Sequence, residues 1–547
     1  MCSVPLALKR QIITEAQKLL EQRFCFRGIE HHFADQVVWQ KCPDGNVSWN
    51  WDLNRHRFFL TLGTAYYYSG ETKFHAKLIE LWEHWITQNP VARWKHPFEV
   101  AARLQNWIWA YFLLERSGEL ATRQLSRLHS AIREHGLFLS SNLEYHWPNN
   151  HLLLETKALY EYALLFPHFK ESSKLLNRAK RVLEREVLAQ VLPDGAHSEL
   201  CSMYHRIVAG EMSELALLCQ KLGKPLPPKI ERRISAMTEF TRALLRSDGT
   251  APLVGDSALD DVYIRFDPAQ RERLDLNYWV SQEDRSPSSQ PSPECTELHN
   301  FPEAGYAFVR EPNRRVHLTF DFGPFSRCPT ANHAHCDALS FELYVAGRPL
   351  IVDPGIYLPW GQNGRWSHYF RSTGAHNTLM VDGKEQSELS RYCDVNRTAR
   401  SKLLSHYAST AGAGLTAECD PYWARNGSIR HQRQICYDRS GFITIHDEVK
   451  GSGRHRLDWT FQFAPEVDVL GLGDGNVLAR FSENFNLLRL EPVGEQSPTL
   501  AIARGQTDPL RGWVSRNSAQ VIPAYAALYS AEVDLPFSLT FQLSILC

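Results

Sequence analysis

Neither charge is in surplus in this 547-residue chain: 60 Lys and Arg stand against 61 Asp and Glu. A nucleic-acid protein would ordinarily show a basic excess or stripe, so that partner is not expected. An anionic ligand held in a locally basic cleft is still allowed. The 12 cysteines are scattered singly and form no C-x-x-C pair, which argues against zinc-finger and thioredoxin-type sites. Unclustered cysteines fit a reducing compartment better than a disulfide framework. No apolar run is long enough to span a bilayer. The opening "MCSVPLALKRQIITEAQKLL" lacks a basic segment followed by a sustained apolar one, and reads as an amphipathic helix. The expectation is a soluble cytoplasmic protein, or a periplasmic or secreted one where a leader precedes this sequence. Also missing are a G-x-S-x-G elbow, a G-x-x-x-x-G-K-[ST] loop and an H-E-x-x-H helix.

Aromatics are plentiful, with 15 Trp, 20 Tyr and 27 Phe. Many must be core, but Trp and Tyr also suit the flat C–H faces of sugar rings. The length is too great for one hydrophobic core, so two or three domains are expected. From about residue 53 to 245 the apolar spacing is helical. "FEVAARLQNWIWAYFLL" sets Val100, Leu104, Trp107, Ile108 and Tyr111 on one face and Glu99, Arg103 and Asn106 on a polar one. "SQEDRSPSSQPSPECTE", residues 281–297, then reads as a connector. Beyond it the period becomes two, as in "RRVHLTFDFG", "RHQRQICYD" and "FSLTFQLSIL". The expected fold class is α+β: a helical domain over 1–285, then an antiparallel β-sandwich over 298–547.

Three stretches carry the chemistry. In "HWPNNHLLLETKALY", Asn149, Asn150 and His151 stand where a helix begins. They read either as an Asn cap with a stray histidine, or as an amide and imidazole facing a cavity. In "PDGAHSELCSMYHRIV", a turn leads to Glu199, Tyr204 and His205. Tyr204 is either a core tyrosine or a proton-transfer group, and a phenol needs positive neighbours to ionise near neutrality. His205 and Arg206 are the nearest candidates along the chain. In "NHAHCDALSFELYVAGRPLIVDPGIYLPWGQNGRWSHYFRSTGAHNTLMVDG", His333, His335, Asp337, Asp353, His368 and His376 crowd together. Such groups are costly to bury without partners, so mutual pairing, a metal or a substrate must satisfy them. Two histidines and an aspartate on separate turns would make a zinc set. A carboxylate pair for glycoside hydrolysis could also be drawn from Glu99, Glu155, Asp194 and Glu199.

Taken in order, "NNH", "DGAHSELCSMYH" and "NHAHCDALSF…VDPGIY…FRSTGAHNTLMVDG" resemble the heparinase II/III-like polysaccharide lyases. The spacings from Asn150 to Tyr204 and on to His333 suit the heparinase III branch best, and "WNWDLNRHRFF" and "FEVAARLQNW" extend the resemblance into the helical region. It implies an incomplete α/α toroid followed by an antiparallel β-sandwich, with a cleft between them. It implies β-elimination on an anionic, uronic-acid-containing polysaccharide or oligosaccharide: heparan sulfate, hyaluronan or chondroitin, with alginate or a bacterial capsule polymer as alternatives. By the same resemblance Asn150, assisted by His151 or Asn149, would neutralise the uronate carboxylate. Tyr204 would act at C5 and at the departing oxygen, and His333 would be its partner or the base for the other C5 epimer. His335, Asp353 and His376 would hold a divalent metal, expected to be a structural zinc, with no organic cofactor. Asp337 would orient the loop. Arg103, Glu199, Tyr357, Trp366, Tyr369 and Arg371 are the expected substrate-subsite residues. A hydrolase on the same toroid and a non-catalytic carbohydrate-binding protein are the competing readings.

Overall fold

The computed structural model describes residues 6–546 except 91–95, 116–121, 260–295, 314, 329–332, 358–363, 390–396, 425–427, 483–484, 495–496 and 518–519. The expected connector therefore lies outside the described residues apart from Thr296 and Glu297, as does the domain edge placed at 285. Up to Leu244 the chain is mainly helical, and successive helices pack on one another as an incomplete α/α toroid. A short hairpin, Arg23–Phe26 with Ile29–His32, interrupts it.

The helix Pro97–Glu115 corrects the amphipathic reading. Arg103 and Asn106, assigned to its polar face, are as buried as the apolar positions. A helix buried on all sides is an inner helix, so its polar groups need partners within the protein. They find them at the left-handed turn of His56 (φ +59°). Asn106 Nδ2 donates to the Arg55 carbonyl at 2.8 Å, Arg103 Nη1 to the Asn54 carbonyl at 2.9 Å, and Trp107 Nε1 to His56 Nδ1 at 2.9 Å.

The second half is a sandwich of antiparallel sheets. A 5-stranded sheet runs in sequence order from Glu297–Phe301 to Arg348–Ile351. It faces a 10-stranded sheet built on two long strands, Phe442–Gln462 and Tyr525–Ile545. Leu318, Phe320 and Phe341 from one sheet and Ile443, Phe461 and Phe541 from the other fill the space between them. Period-two alternation is plain in Arg430–Asp438, where inward His431, Arg433, Ile435 and Tyr437 are buried.

The strand Tyr306–Glu311 is buried on both faces because its outer face meets the helical domain. Tyr306 and Phe308 pack with Phe240, Ala243 and Leu244 at the end of the helix Pro228–Leu244. Polar ties flank this seam: His317 Nε2 donates to the Ala243 carbonyl at 3.0 Å, and Asp194 Oδ2 accepts from Ala304 N at 2.8 Å. Asp194 belongs to the turn read in "PDG". There Gly195 (φ +95°) is required, because a Cβ would stand 2.0 Å from the Ala236 carbonyl oxygen. The two domains are therefore fastened beside the segments that carry Glu199, Tyr204 and Asp256.

Candidate active site

Asn149 and Asn150 divide the two readings offered for them. Asn149 is the helix cap: its Oδ1 accepts from His151 N at 2.9 Å, and it is buried. Asn150 turns its amide toward Glu199, with Nδ2 at 2.9 and 3.0 Å from the two carboxylate oxygens and its backbone N at 3.2 Å. The two oxygens of a carboxylate lie close enough together for one N–H of that nitrogen to serve both. Glu199, expected at a subsite, is instead a buried anchor for Asn150. Burial alone would raise its pKa, but His333, His197 and Asn150 outweigh that and hold it ionised.

Tyr204 lies in the first turn of the helix Ser202–Lys221, half-buried against Phe98, Leu154 and Ile207. Its ring stacks on His333, centroids 4.0 Å apart and planes at 23°. His333 Nδ1 donates to Asp256 Oδ2 at 3.0 Å, and its Nε2 lies 3.9 Å from Glu199 Oε2. Burial disfavours a charged imidazole, yet the bond to Asp256 and the Glu199 carboxylate prevail and raise the His333 pKa. His205 does not supply the positive neighbour sought for Tyr204. It is buried between Thr241 Oγ1 and the His197 backbone N–H, and desolvation pushes it down to about 3, so the ring is neutral. The positive neighbour is Arg371, whose charge interacts with the Tyr204 phenol.

His151 stands on the same wall without joining the stack. Its Nδ1 pairs with Glu144 Oε2 at 3.1 Å, and its ring stacks on Phe98 at 4.2 Å, the residue that also packs with Tyr204.

Asp256 went unread in the sequence. Its carboxylate holds His333, accepts from His335 Nε2 at 3.0 Å, and takes a two-pronged contact from Arg371. Burial would raise its pKa; Arg371, His333 and His335 drive it well below the usual carboxylate range. The available signal was "LVGDSAL", an acid behind a glycine in an otherwise apolar run, outside the histidine-dense stretch.

His335, Asp353 and His376 form the second cluster. One ligand atom from each lies within 4.8 Å of the others, and all three residues are buried. Each has its remaining polar atom engaged elsewhere. His335 Nε2 donates to Asp256, His376 Nδ1 to the Ser372 carbonyl at 2.8 Å, and Asp353 Oδ1 accepts from Gly355 N at 2.8 Å. That leaves His335 Nδ1 and His376 Nε2 facing each other at 3.2 Å, with Asp353 Oδ2 3.5 Å from the latter. In neutral rings two lone pairs and an Asp353 oxygen then converge, and burial with neighbouring acids raises the Asp353 pKa, so a proton or a cation must satisfy the set. An N,N,O donor set fixed by outer hydrogen bonds fits a borderline divalent ion.

The other expected subsite residues separate by burial. Arg103 is a correction: it is 3% exposed, its Nε donates to His135 Nε2 at 2.9 Å, and its guanidinium lies over Trp85. Burial lowers its pKa to about 9. Tyr369 is also a correction, since it is buried in a local aromatic core and its hydroxyl accepts from Trp513 N. Tyr357 and Trp366 pack at the edge of that core, half-buried. Only Arg371 of this set reaches the Tyr204–His333 stack.

The hydrolase carboxylates are dispersed and engaged. Glu99 pairs with Arg55, Asp194 caps Ala304, and Glu199 holds Asn150. Glu155 is fully buried, with its pKa pushed up to about 9 by desolvation.

Both halves of the chain match known families. The family described as "Heparinase II/III N-terminus" matches residues 6–270, and "Heparinase II/III-like, C-terminal" matches 294–536. A heparin-sulfate lyase of Bacteroides thetaiotaomicron is 25% identical over 492 residues, spanning 83% of this chain and 67% of that protein. One from Pedobacter heparinus is 24% identical over 482 residues, spanning 83% and 68%. Among solved structures, a heparinase III superposes with a TM-score of 0.79 at 19% identity, covering 100% of this chain and 85% of that one. The heparan sulfate lyase of Pedobacter heparinus gives 0.66 at 18%, covering 100% and 84%. The chain belongs to the heparinase II/III-like family of polysaccharide lyases.

Proposed function

We propose that this protein cleaves a uronic-acid-containing glycosaminoglycan of the heparan sulfate type by β-elimination. The observation that carries the reading is the Tyr204–His333 stack set against the Asn150–Glu199 pair. The C5 proton of a uronate is too weakly acidic until its carboxylate is neutralised, because the electron pair it leaves must flow into that group. The spare N–H of Asn150 and the Arg371 guanidinium are the donors for that carboxylate, and preorganised donors at a developing anion are commonly the largest catalytic term. Tyr204 then takes the C5 proton as the C4–C5 double bond forms and the C4–O4 bond breaks. The same proton passes to the departing O4. His333, raised in pKa by two carboxylates, serves as a donor beside the phenolate more readily than as a base. This makes Tyr204 the base and His333 its partner. Proton transfers of this kind are worth about 10²–10⁴-fold each.

Zinc is the proposed ion for His335, Asp353 and His376. When bound it would supply a cross-link between the loop carrying His333 and the sandwich, and no bond-making step passes through it. The heparan sulfate choice is supported by the names of the curated relatives and ranks first in a panel with hyaluronan, chondroitin, alginate and capsule polymers. The test is ultraviolet absorbance over time on that panel. A rise identifies an unsaturated uronate and names the polymer class; saturated reducing ends without absorbance would overturn the reading.

A further inference from the structure

A single buried carboxylate joins the two clusters. Asp256 comes from the tail of the helical domain and is 2% exposed. Its Oδ2 accepts from His333 Nδ1 and its Oδ1 from His335 Nε2, both at 3.0 Å. Arg371 spans the two oxygens, Nε to Oδ1 at 3.2 Å and Nη2 to Oδ2 at 2.5 Å. The backbone closes the same joint, since Asp256 N donates to the His333 carbonyl at 3.0 Å. Gly255 (φ +65°) permits this approach, because a Cβ there would stand 2.7 Å from that carbonyl oxygen.

We propose that Asp256 is a positioning residue that couples the metal site to the catalytic face, so that filling the His335–Asp353–His376 site and orienting His333 are one event. This rests on the role given to His333 above. The argument is one of donor counting. A carboxylate offers acceptors at both oxygens, so it can take a hydrogen from both rings at once. His335 then presents its Nδ1 lone pair to the metal point, while His333 presents Nε2 toward Glu199 and its ring face to Tyr204. An amide in the same place has one acceptor and one donor. It can serve one ring, and the other must exchange its tautomer or turn away. A His335 that exchanges places a proton on the atom aimed at the metal; a His333 that turns loses its stack on Tyr204. No residue other than Asp or Glu satisfies both rings and Arg371, and Glu would displace the joint by a methylene.

The test uses the full chain loaded with zinc. Asp256→Asn is expected to lose about 10–100-fold in zinc affinity, in kcat, or in both, a usual range for residues that orient metal ligands. KM should rise by less than kcat falls, because Asp256 reaches substrate only through Arg371. Zinc affinity is read by competition with a coloured chelator. His335→Ala is expected to lower kcat in the native background and to lower it little further in Asp256→Asn, the non-additivity of residues acting as one unit. Native zinc affinity and native kcat together in Asp256→Asn, or full additivity in the cycle, would overturn the proposal. A second measurement needs no variant: ¹⁵N-histidine spectra of the wild-type protein before and after chelation. The His333 ring signals should move when zinc is stripped, and unmoved signals would overturn the coupling. His333→Ala run alongside separates the failures. Full turnover there removes the site assignment and the coupling with it, whereas a dead His333→Ala beside a native Asp256→Asn removes the coupling alone.

Discussion

The proposed catalytic face and the His335–Asp353–His376 cluster lie on either side of one carboxylate, yet they are built differently. The face is composite: Asn150 and Tyr204 come from helix starts of the toroid and Glu199 from the turn before one, while His333 and Arg371 come from the sandwich domain. The cluster is drawn from the sandwich alone, on the loops around its strands. The face therefore depends on how the domains dock, and the cluster depends on the internal geometry of one domain. Nor are their environments alike. His333 keeps 18% of its side-chain surface exposed beside the half-buried Tyr204, whereas the side chains of His335 and His376 are sealed. A surface that binds and releases substrate must stay open, and a structural ion site gains from closure.

The largest effect should come from the face. Tyr204→Phe keeps the stack and removes the proton carrier, so kcat should fall by about 10²–10⁴-fold. Zinc content should be unchanged, and a parallel metal assay checks that the two regions separate. Asn150→Ala removes the carboxylate donor and should cost about 10²–10³-fold in kcat. It also strips hydrogen bonds from buried Glu199, with a stability loss of about 1–3 kcal/mol readable by denaturant melt.

Chelation tests the other side of the comparison. The wild-type melting temperature should drop on adding a chelator, and His376→Ala should start low and no longer respond. An equal response in both would remove the ion site.

Acid should act on the seam between the two domains. His205 and His317 flank the packed end of the helix Pro228–Leu244, and burial pushes both down to about 3. In the unfolded chain they titrate near 6.5, so the unfolded state binds more protons throughout the window from about 6.5 down to about 3. Stability is therefore fully present above about pH 6.5 and declines as the pH falls through that window. The loss is about 2 kcal/mol for each histidine at pH 5, at 1.36 kcal/mol per pH unit. Melts of His317→Gln should show a flatter acid limb than wild type. The smallest catalytic effect is reserved for Arg103. Arg103→Gln should destabilise by about 1–3 kcal/mol through the helical core and leave KM within about twofold. A large rise in KM would return Arg103 to the substrate cleft.

Much of this was legible in the sequence, for identifiable reasons. Helical and two-residue periods report how many faces of a segment are buried, which is why "RHQRQICYD" coincides with the strand Arg430–Asp438. Periodicity fails where every face is buried: Arg103 looked like a surface charge because its partners, Asn54 and His135, are distant in the chain. The candidate residues that share a short motif were visible as density, as with His333, His335 and His376, which the fold brings near one another. Asp256 was not, because its meaning comes from hydrogen bonds to three residues 77 to 115 positions away. Tyr369 shows the reverse error: a subsite role implied by resemblance gives way to burial in a local core, where it packs on Phe370.

The most direct test of the account is the mass of the new chain ends when heparan sulfate is depolymerised in ¹⁸O-labelled water. Elimination predicts products lighter by one water than hydrolytic ones, carrying no ¹⁸O and absent with Tyr204→Phe. Incorporation of ¹⁸O at the new end, or full product formation by Tyr204→Phe, would contradict it.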